Sequence, residues 1–208
     1  EVTAVVTENF SRGLTSACIM SKIAGVDIFP VDIGVSVDVK GVTDKKIKVA
    51  YGTRNIVKGA AMTREQAVSA IEAGINKVIE LRDKGYDIIA TGEMGIGNTT
   101  TSSAIMSFLF DLPAEAVTGR GAGLTKEGLR KKVEAVKSAI DINRPDRNDS
   151  IDVISKIGGL DIAGLTGVFI GGGACHIPIV IDGFISAISA VLAVRICPRI
   201  KDYIIASH

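Results

Sequence analysis

Residues 162–196 limit most sharply what this chain can become, because they are apolar almost throughout and must be hidden from water in a membrane or a protein interior. His176, Pro178, Asp182 and Arg195 interrupt the run, and its charge-free pieces fall short of the roughly 20 residues that a membrane-spanning helix needs. A transmembrane reading is therefore rejected. The run reads instead as buried strands (Val168 to Ile170 and Ile177 to Ile181) followed by an apolar helix, Phe184 to Arg195. Parallel sheets covered on both faces produce such near-continuous Val/Ile stretches. A chain of 208 residues is long enough to bury them in one core.

Elsewhere strand-like and helix-like segments alternate. A helix is predicted from about Val2 to Lys22, then a strand within VDIFPVDIGV. Thr63 and Gln66 have the spacing of a capping box, in which each side chain satisfies the other's free N–H. They open a helix with Val68, Ile71, Ile75 and Val78 on one stripe and Gly85 just past its end. A strand at Tyr86 to Ala90, a glycine loop and a helix from about Thr99 to Phe110 follow. Thr125 caps a helix from about Lys126 to Ile140, residues 141–150 read as a surface loop, and Tyr203 to Ala206 as a last strand. The alternation predicts an α/β fold, a three-layer Rossmann-like domain with a mostly parallel sheet across residues 1–208. Ligands of such folds bind at the carboxyl ends of the strands.

Charge excludes some partners. With 24 basic and 23 acidic side chains spread along the chain and only 4% aromatic residues, no footprint for nucleic acid or an anionic membrane appears. Cys18, Cys175 and Cys197 lack a C-x-x-C spacing and read as small buried hydrophobes in a reducing cytoplasm, with no metal site expected.

The chemistry concentrates where the first apolar strand ends. Gly92 to Thr99 fits the phosphate-binding pattern G-x-x-x-x-G-K-[ST] except that Asn98 stands in the lysine position. Gly92, Gly95 and Gly97 allow close main-chain approach, and the following helix offers unpaired N–H groups and a partial positive charge. Thr99, Thr100 and Thr101 add hydroxyls. Without the lysine that serves β and γ phosphates, a monophosphate is expected, and no obligatory metal or other cofactor. The plain alternative is a glycine turn before a hydroxyl-rich helix. Glu93 argues for a ligand, since a carboxylate in an anion loop suggests a cationic ligand part or a proton to be moved, although a solvated role stays open. In GRGAG, Arg120 can pair bidentately with phosphate or carboxylate, with loop packing as the alternative. On the next helix, Lys132 lies about 60° from the apolar stripe and Lys131 points away, which makes Lys132 the ligand contact. His176 reads as structural, and Asp182 as a helix cap more than a substrate contact.

GEMGIGNTT, GRGAGL with the downstream RKK, AYGTRNIVKGAAMTREQA, and IPIVIDGFISAISAVLA with the terminal DYIIASH together resemble the nicotinate-nucleotide:dimethylbenzimidazole phosphoribosyltransferases of cobalamin assembly. That resemblance implies transfer of a 5-phosphoribosyl group from nicotinate mononucleotide to a benzimidazole nitrogen, releasing nicotinate and giving α-ribazole phosphate, in a cytoplasmic homodimer. It also implies that Gly95, Ile96, Gly97, Asn98, Thr99, Thr100, Gly121 and Ser207 hold the phosphoribosyl part, that Met94 lines the base pocket, and that Glu93 and Lys132 belong to the active site. Val5 stands where the family usually has a glutamine that contacts the base. The family's principal general-base glutamate falls after the final Ser-His and a strand falls before Glu1, so the chain is expected to hold the large domain alone and to be weak or inactive by itself. A phosphate-binding module or partner subunit without catalysis is the alternative.

Overall fold

A computed structural model describes residues 2–207. The N-terminal helix of the sequence reading is two helices, α1 (Val2–Ser11) and α2 (Ser16–Ala24). Gly13, at φ +71°, turns the chain between them, and Thr15 caps α2 by accepting from the Cys18 N–H at 3.2 Å. No residue of α2 is buried.

The strand expected at VDIFPVDIGV does not form. Asp32 explains this: its side chain is fully buried, accepts from the Val35 N–H at 2.8 Å and pairs with Lys48 at 3.0 Å. A buried carboxylate requires such partners, and meeting them folds the segment back on itself.

Helix α3 (Arg64–Asp83) starts with the expected capping box. The Thr63 hydroxyl accepts from Gln66 N–H at 3.2 Å and the Gln66 side chain from Thr63 N–H at 3.0 Å. Its buried stripe runs through Ala67, Ala70, Ile71, Gly74, Val78 and Leu81. Then come β1 (Ile89–Ala90), α4 (Asn98–Phe110), α5 (Ala114–Val117), α6 (Lys126–Asn143) and α7 (Ser150–Ile157). Residues 141–150 are thus a loop only in part. Asp149 caps α7, accepting from the N–H groups of Ile151 and Asp152 at 3.0 and 3.1 Å.

The largest departure is α8 (Leu160–Cys175), which absorbs the strand expected at Val168 to Ile170. Its glycines disfavour a helix by about 1 kcal/mol each relative to alanine, but tertiary packing reverses that preference. A Cβ on Gly167 would lie 1.9 Å from the Ile71 carbonyl oxygen, and one on Gly74 would lie 2.0 Å from the Gly164 carbonyl oxygen. Helices α3 and α8 meet backbone to backbone, which only glycine permits. His176 ends α8 at φ +59°, and its Nδ1 lies 2.8 Å from the Tyr203 hydroxyl, a structural position as expected.

Strand β2 (Ile179–Ile181), α9 (Phe184–Ile196), a 3-10 helix (Pro198–Tyr203) and β3 (Ile204–Ala206) complete the chain. The sheet has the order β1-β2-β3 and is parallel throughout, with Ile89 opposite Ile179 and Ile179 opposite Ile204. The fold is α/β and Rossmann-like, with the expected strand direction. Phe169, Ile105, Ile154, Ile162, Ile179 and Leu192 are fully buried. The helices therefore provide most of the core, and the short strands set where their ends point.

Candidate active site

Parallel strands place their carboxyl ends on one edge. Beyond β1, the Thr91 hydroxyl donates to the Val180 carbonyl at 2.9 Å and accepts from the Asp182 N–H at 3.3 Å. Beyond β3, the Ser207 hydroxyl donates to the Asp182 carbonyl at 3.1 Å. Glu93, Asp182 and Ser207 therefore share one rim. Asp182 does not cap α9, whose N-cap is Gly183 and carries no side-chain hydrogen bond. The cap reading is corrected: this carboxylate faces the glycine loop, where its charge raises the proton affinity of Glu93.

The glycine loop runs from β1 into α4. Gly97 is the N-cap at φ +100°, a left-handed conformation that suits glycine, and no side chain caps the helix. Of its first three N–H groups, those of Asn98 and Thr100 donate to the Gly95 and Gly97 carbonyls at 3.1 and 2.9 Å, which leaves that of Thr99 to meet an anion. Asn98, in the lysine position of the phosphate-loop pattern, has another task. Its Nδ2 donates to Glu93 and to Asp161 at 2.9 Å. A Cβ on Gly95 would lie 2.8 Å from Asp161 Oδ2, so this glycine makes room for the carboxylate. Met94 and Thr100 are half-buried and Ile96 is exposed. The Ile96 N–H donates to Thr3 Oγ1 at 3.4 Å, which brings α1 to the loop.

Lys132 approaches from α6. It is 8% exposed, and its ammonium donates to Thr99 Oγ1 at 2.7 Å and to the Gly119 carbonyl at 3.1 Å. Both are neutral oxygens, and burial lowers its proton affinity. Lys131 is exposed and pairs loosely with Glu127 at 3.7 Å, as the helical spacing predicted. Gly121, at φ +55°, closes this corner, since a Cβ there would lie 3.0 Å from Thr99 Oγ1 and 3.3 Å from Lys132 Nζ. The Thr118 hydroxyl beside it is buried without a hydrogen-bond partner among the described residues. Arg120 is exposed on the same loop.

Two chemically opposite ends result. Thr99, Gly121, Lys132 and the uncapped start of α4 form a cationic, donor-rich end. Glu93, Asp161 and Asp182 form an anionic one. The Glu93 carboxylate is partly desolvated although the residue is exposed, and this burial, with the charges of Asp161 and Asp182, raises its proton affinity against the opposing Asn98 bond. Burial likewise raises that of Asp161. Such raised proton affinities at neighbouring carboxyls are suited to proton transfer.

Glu93, Met94, Gly95, Ile96, Gly97, Asn98, Thr99, Thr100, Gly121, Lys132 and Ser207 thus lie along one edge, with Arg120 beside it. Val5 does not join them: it is 56% exposed, and lies about 200° around α1 from Thr3. Asp161 escaped the sequence reading. Its signal was its isolation, for Asp161 and Asp182 are the sole acidic residues between Asp152 and Asp202. Among the described residues no His, Cys, Asp and Glu cluster is placed to hold a metal, and no helix is long and apolar enough to cross a membrane.

The sequence profile of a phosphoribosyltransferase family matches residues 1–208. The chain is 55% identical over 210 residues to the nicotinate-nucleotide–dimethylbenzimidazole phosphoribosyltransferase of Acetivibrio thermocellus. It is 54% identical over 209 residues to that of Clostridium acetobutylicum. In both comparisons all of this chain aligns, and it spans 59% of the relative's length. The crystal structure of CobT from Thermus thermophilus superposes with a TM-score of 0.92 at 35% identity, covering all of this chain and 62% of that one. With its glycine loop, buried lysine and carboxylate rim on one parallel sheet edge, the chain belongs to the phosphoribosyltransferase family.

Proposed function

We propose that this chain carries the phosphoribosyl-binding part of an enzyme that transfers 5-phosphoribosyl from nicotinate mononucleotide to the nitrogen of a benzimidazole-type base. The observation that carries the reading is the polarity of the site. A buried ammonium with no acidic partner among the described residues, beside an uncapped helix start, suits a phosphate monoester. The carboxylates suit the other end of the substrate. As the bond from ribose C1′ to nicotinate nitrogen breaks, positive charge develops on the ribose ring, and fixed negative charge nearby stabilises it. One nitrogen of the base forms the new bond to C1′ through its lone pair, and the N–H across the five-membered ring gives up its proton to a carboxylate. A carboxyl of raised proton affinity such as Glu93 is matched to that role.

By this reading Gly95 to Thr100, Gly121, Lys132 and Ser207 hold the phosphoribosyl group, Arg120 meets its phosphate from the loop, and Met94 borders the base. Val5 meets the base only where further surface closes over α1. The protein works in the cytoplasm as a homodimer, as the family resemblance implies. Exposed apolar side chains on α1 and α2, including Ile19, Met20 and Ile23, support such an association.

The test is chromatographic. Protein expressed from the complete gene, given nicotinate mononucleotide and dimethylbenzimidazole, should release nicotinate and form the ribosyl phosphate of the base in equal amounts. Absence of both products would overturn the activity. Light scattering on the same preparation tests the dimer.

A further inference from the structure

Asn98 is an amide held between two carboxylates. Its Nδ2 carries two hydrogens, one directed to Glu93 and the other to Asp161 Oδ2 at 2.9 Å. Asp161 is itself fixed from the opposite side, where its Oδ1 accepts from the Ile162 N–H at 2.9 Å. The surrounding space is cut to fit it. A Cβ on Gly159 would lie 2.5 Å from Oδ1, and one on Gly95 would lie 2.8 Å from Oδ2. Both neighbours are glycines, so the carboxylate has a tailored slot, with no cation paired to it among the described residues. As structure alone, this arrangement is unfavourable: burial raises the proton affinity of Asp161, and its charge raises that of Glu93.

We propose that Asp161 is a positioning residue for Glu93, acting through Asn98: it holds the amide with its N–H groups, and not its carbonyl, turned toward Glu93. With both amide hydrogens engaged, the side chain cannot flip without placing its carbonyl oxygen against a carboxylate on each side. Glu93 is thereby held at the rim in one geometry. The charged groups facing Glu93 are Asp161 at the start of α8 and Asp182 after β2. Lys132 lies across the loop, bonded to Thr99 and Gly119. Removing Asp161 therefore alters both the orientation of the amide and the charge around Glu93. The proposal rests on the reading of Glu93 as a group that meets the substrate.

The experiment compares Asp161→Ala and Asp161→Asn in protein from the complete gene. A purely structural role predicts that asparagine restores function, since it fills the same slot and keeps the bond from Ile162 N–H. A positioning role predicts the opposite. With its one oxygen committed to Ile162, the new amide turns its donor toward the donor of Asn98. Both variants should lose on the order of tenfold or more in kcat, with asparagine no better than alanine and KM for nicotinate mononucleotide within about twofold of wild type. Glu93, followed by carbon NMR with labelled glutamate, should titrate at lower pH in Asp161→Ala, where the charge is gone and Asn98, no longer held in one orientation, donates for part of the time. Wild-type kcat in Asp161→Asn, or an unmoved Glu93 titration in Asp161→Ala, would overturn the proposal. If neither variant folds, the wild-type protein decides, because the Glu93 resonance must also record the titration of Asp161. A single-step curve independent of Asp161 would overturn it. NMR does not need turnover, so inactivity of the wild-type enzyme would count against the phosphoribosyl-transfer reading, and independent titration against this one.

Discussion

Lys132 carries a sharp expectation at the scale of the residue. The residue is almost wholly buried and its ammonium has neutral oxygens as partners, so a phosphate arriving there gains a charge-assisted hydrogen bond worth about 1.5–3 kcal/mol. Lys132→Ala should weaken nicotinate mononucleotide binding by roughly 10- to 100-fold in calorimetry, whereas Lys131→Ala, a change at an exposed side chain, should stay within about twofold. Equal losses would remove the assignment. The pH dependence follows from the same burial. Because the free protein holds this ammonium's proton less tightly than an ordinary lysine does, it loses its charge at lower pH, and phosphate affinity should begin to fall before the usual lysine range is reached. A bound anion restores the proton, so binding of inorganic phosphate on the alkaline side should be accompanied by proton uptake, measurable as calorimetric heats that vary with buffer ionisation enthalpy. Lys132 was legible because one helical repeat separates buried from exposed positions. Asp161 was not, because its partner Asn98 lies 63 positions away in the sequence and nothing local announces the pair.

At the scale of the element, the contact between α3 and α8 sets the expectation. Gly167→Val forces a side chain into the backbone of α3, where a Cβ alone would sit 1.9 Å from the Ile71 carbonyl. Overpacking costs about 1–3 kcal/mol where neighbours can yield, and backbone yields least, so urea unfolding should show a loss at or above the top of that range. Gly183→Ala is the control: no atom lies within 4 Å of its added Cβ and its φ of −139° suits alanine, so the midpoint should hardly move. The same contact explains where the sequence was readable. Capped, amphipathic helices such as α3 and α6 carry their own boundary signals in Thr63, Gln66 and Thr125. Helix α8 does not, for it is apolar on all sides and rich in glycine, and a short piece such as Val168 to Ile170 has the composition of a buried strand. Only the closeness of α3, a tertiary fact, makes the helix the better state. The missing strand at Val26 to Val35 has a similar cause in the remote pairing of Asp32 with Lys48.

Across the whole molecule, stability should be uneven. Helix α2 buries no residue, whereas α8 and α9 each contain several that are fully enclosed. Local opening requires little energy where few apolar contacts must be broken. Hydrogen exchange on this chain should find amides of α1 and α2 unprotected within seconds to minutes, long before those of α8. Uniform protection would mean that the N-terminal helices are anchored more firmly than their exposure implies. The glycines at the meeting of α3 and α8 have a further consequence for any screen that ranks positions by the harm of replacement. Gly74 and Gly167 would score as severely as Gly97, although they touch no ligand and lie inside the core. A map of intolerance drawn on this protein would therefore outline two glycine-lined places with equal weight. Solubility and folding yield, scored beside activity, would separate them, since damage at Gly97 should leave folded but idle protein and damage at Gly167 should leave little folded protein at all.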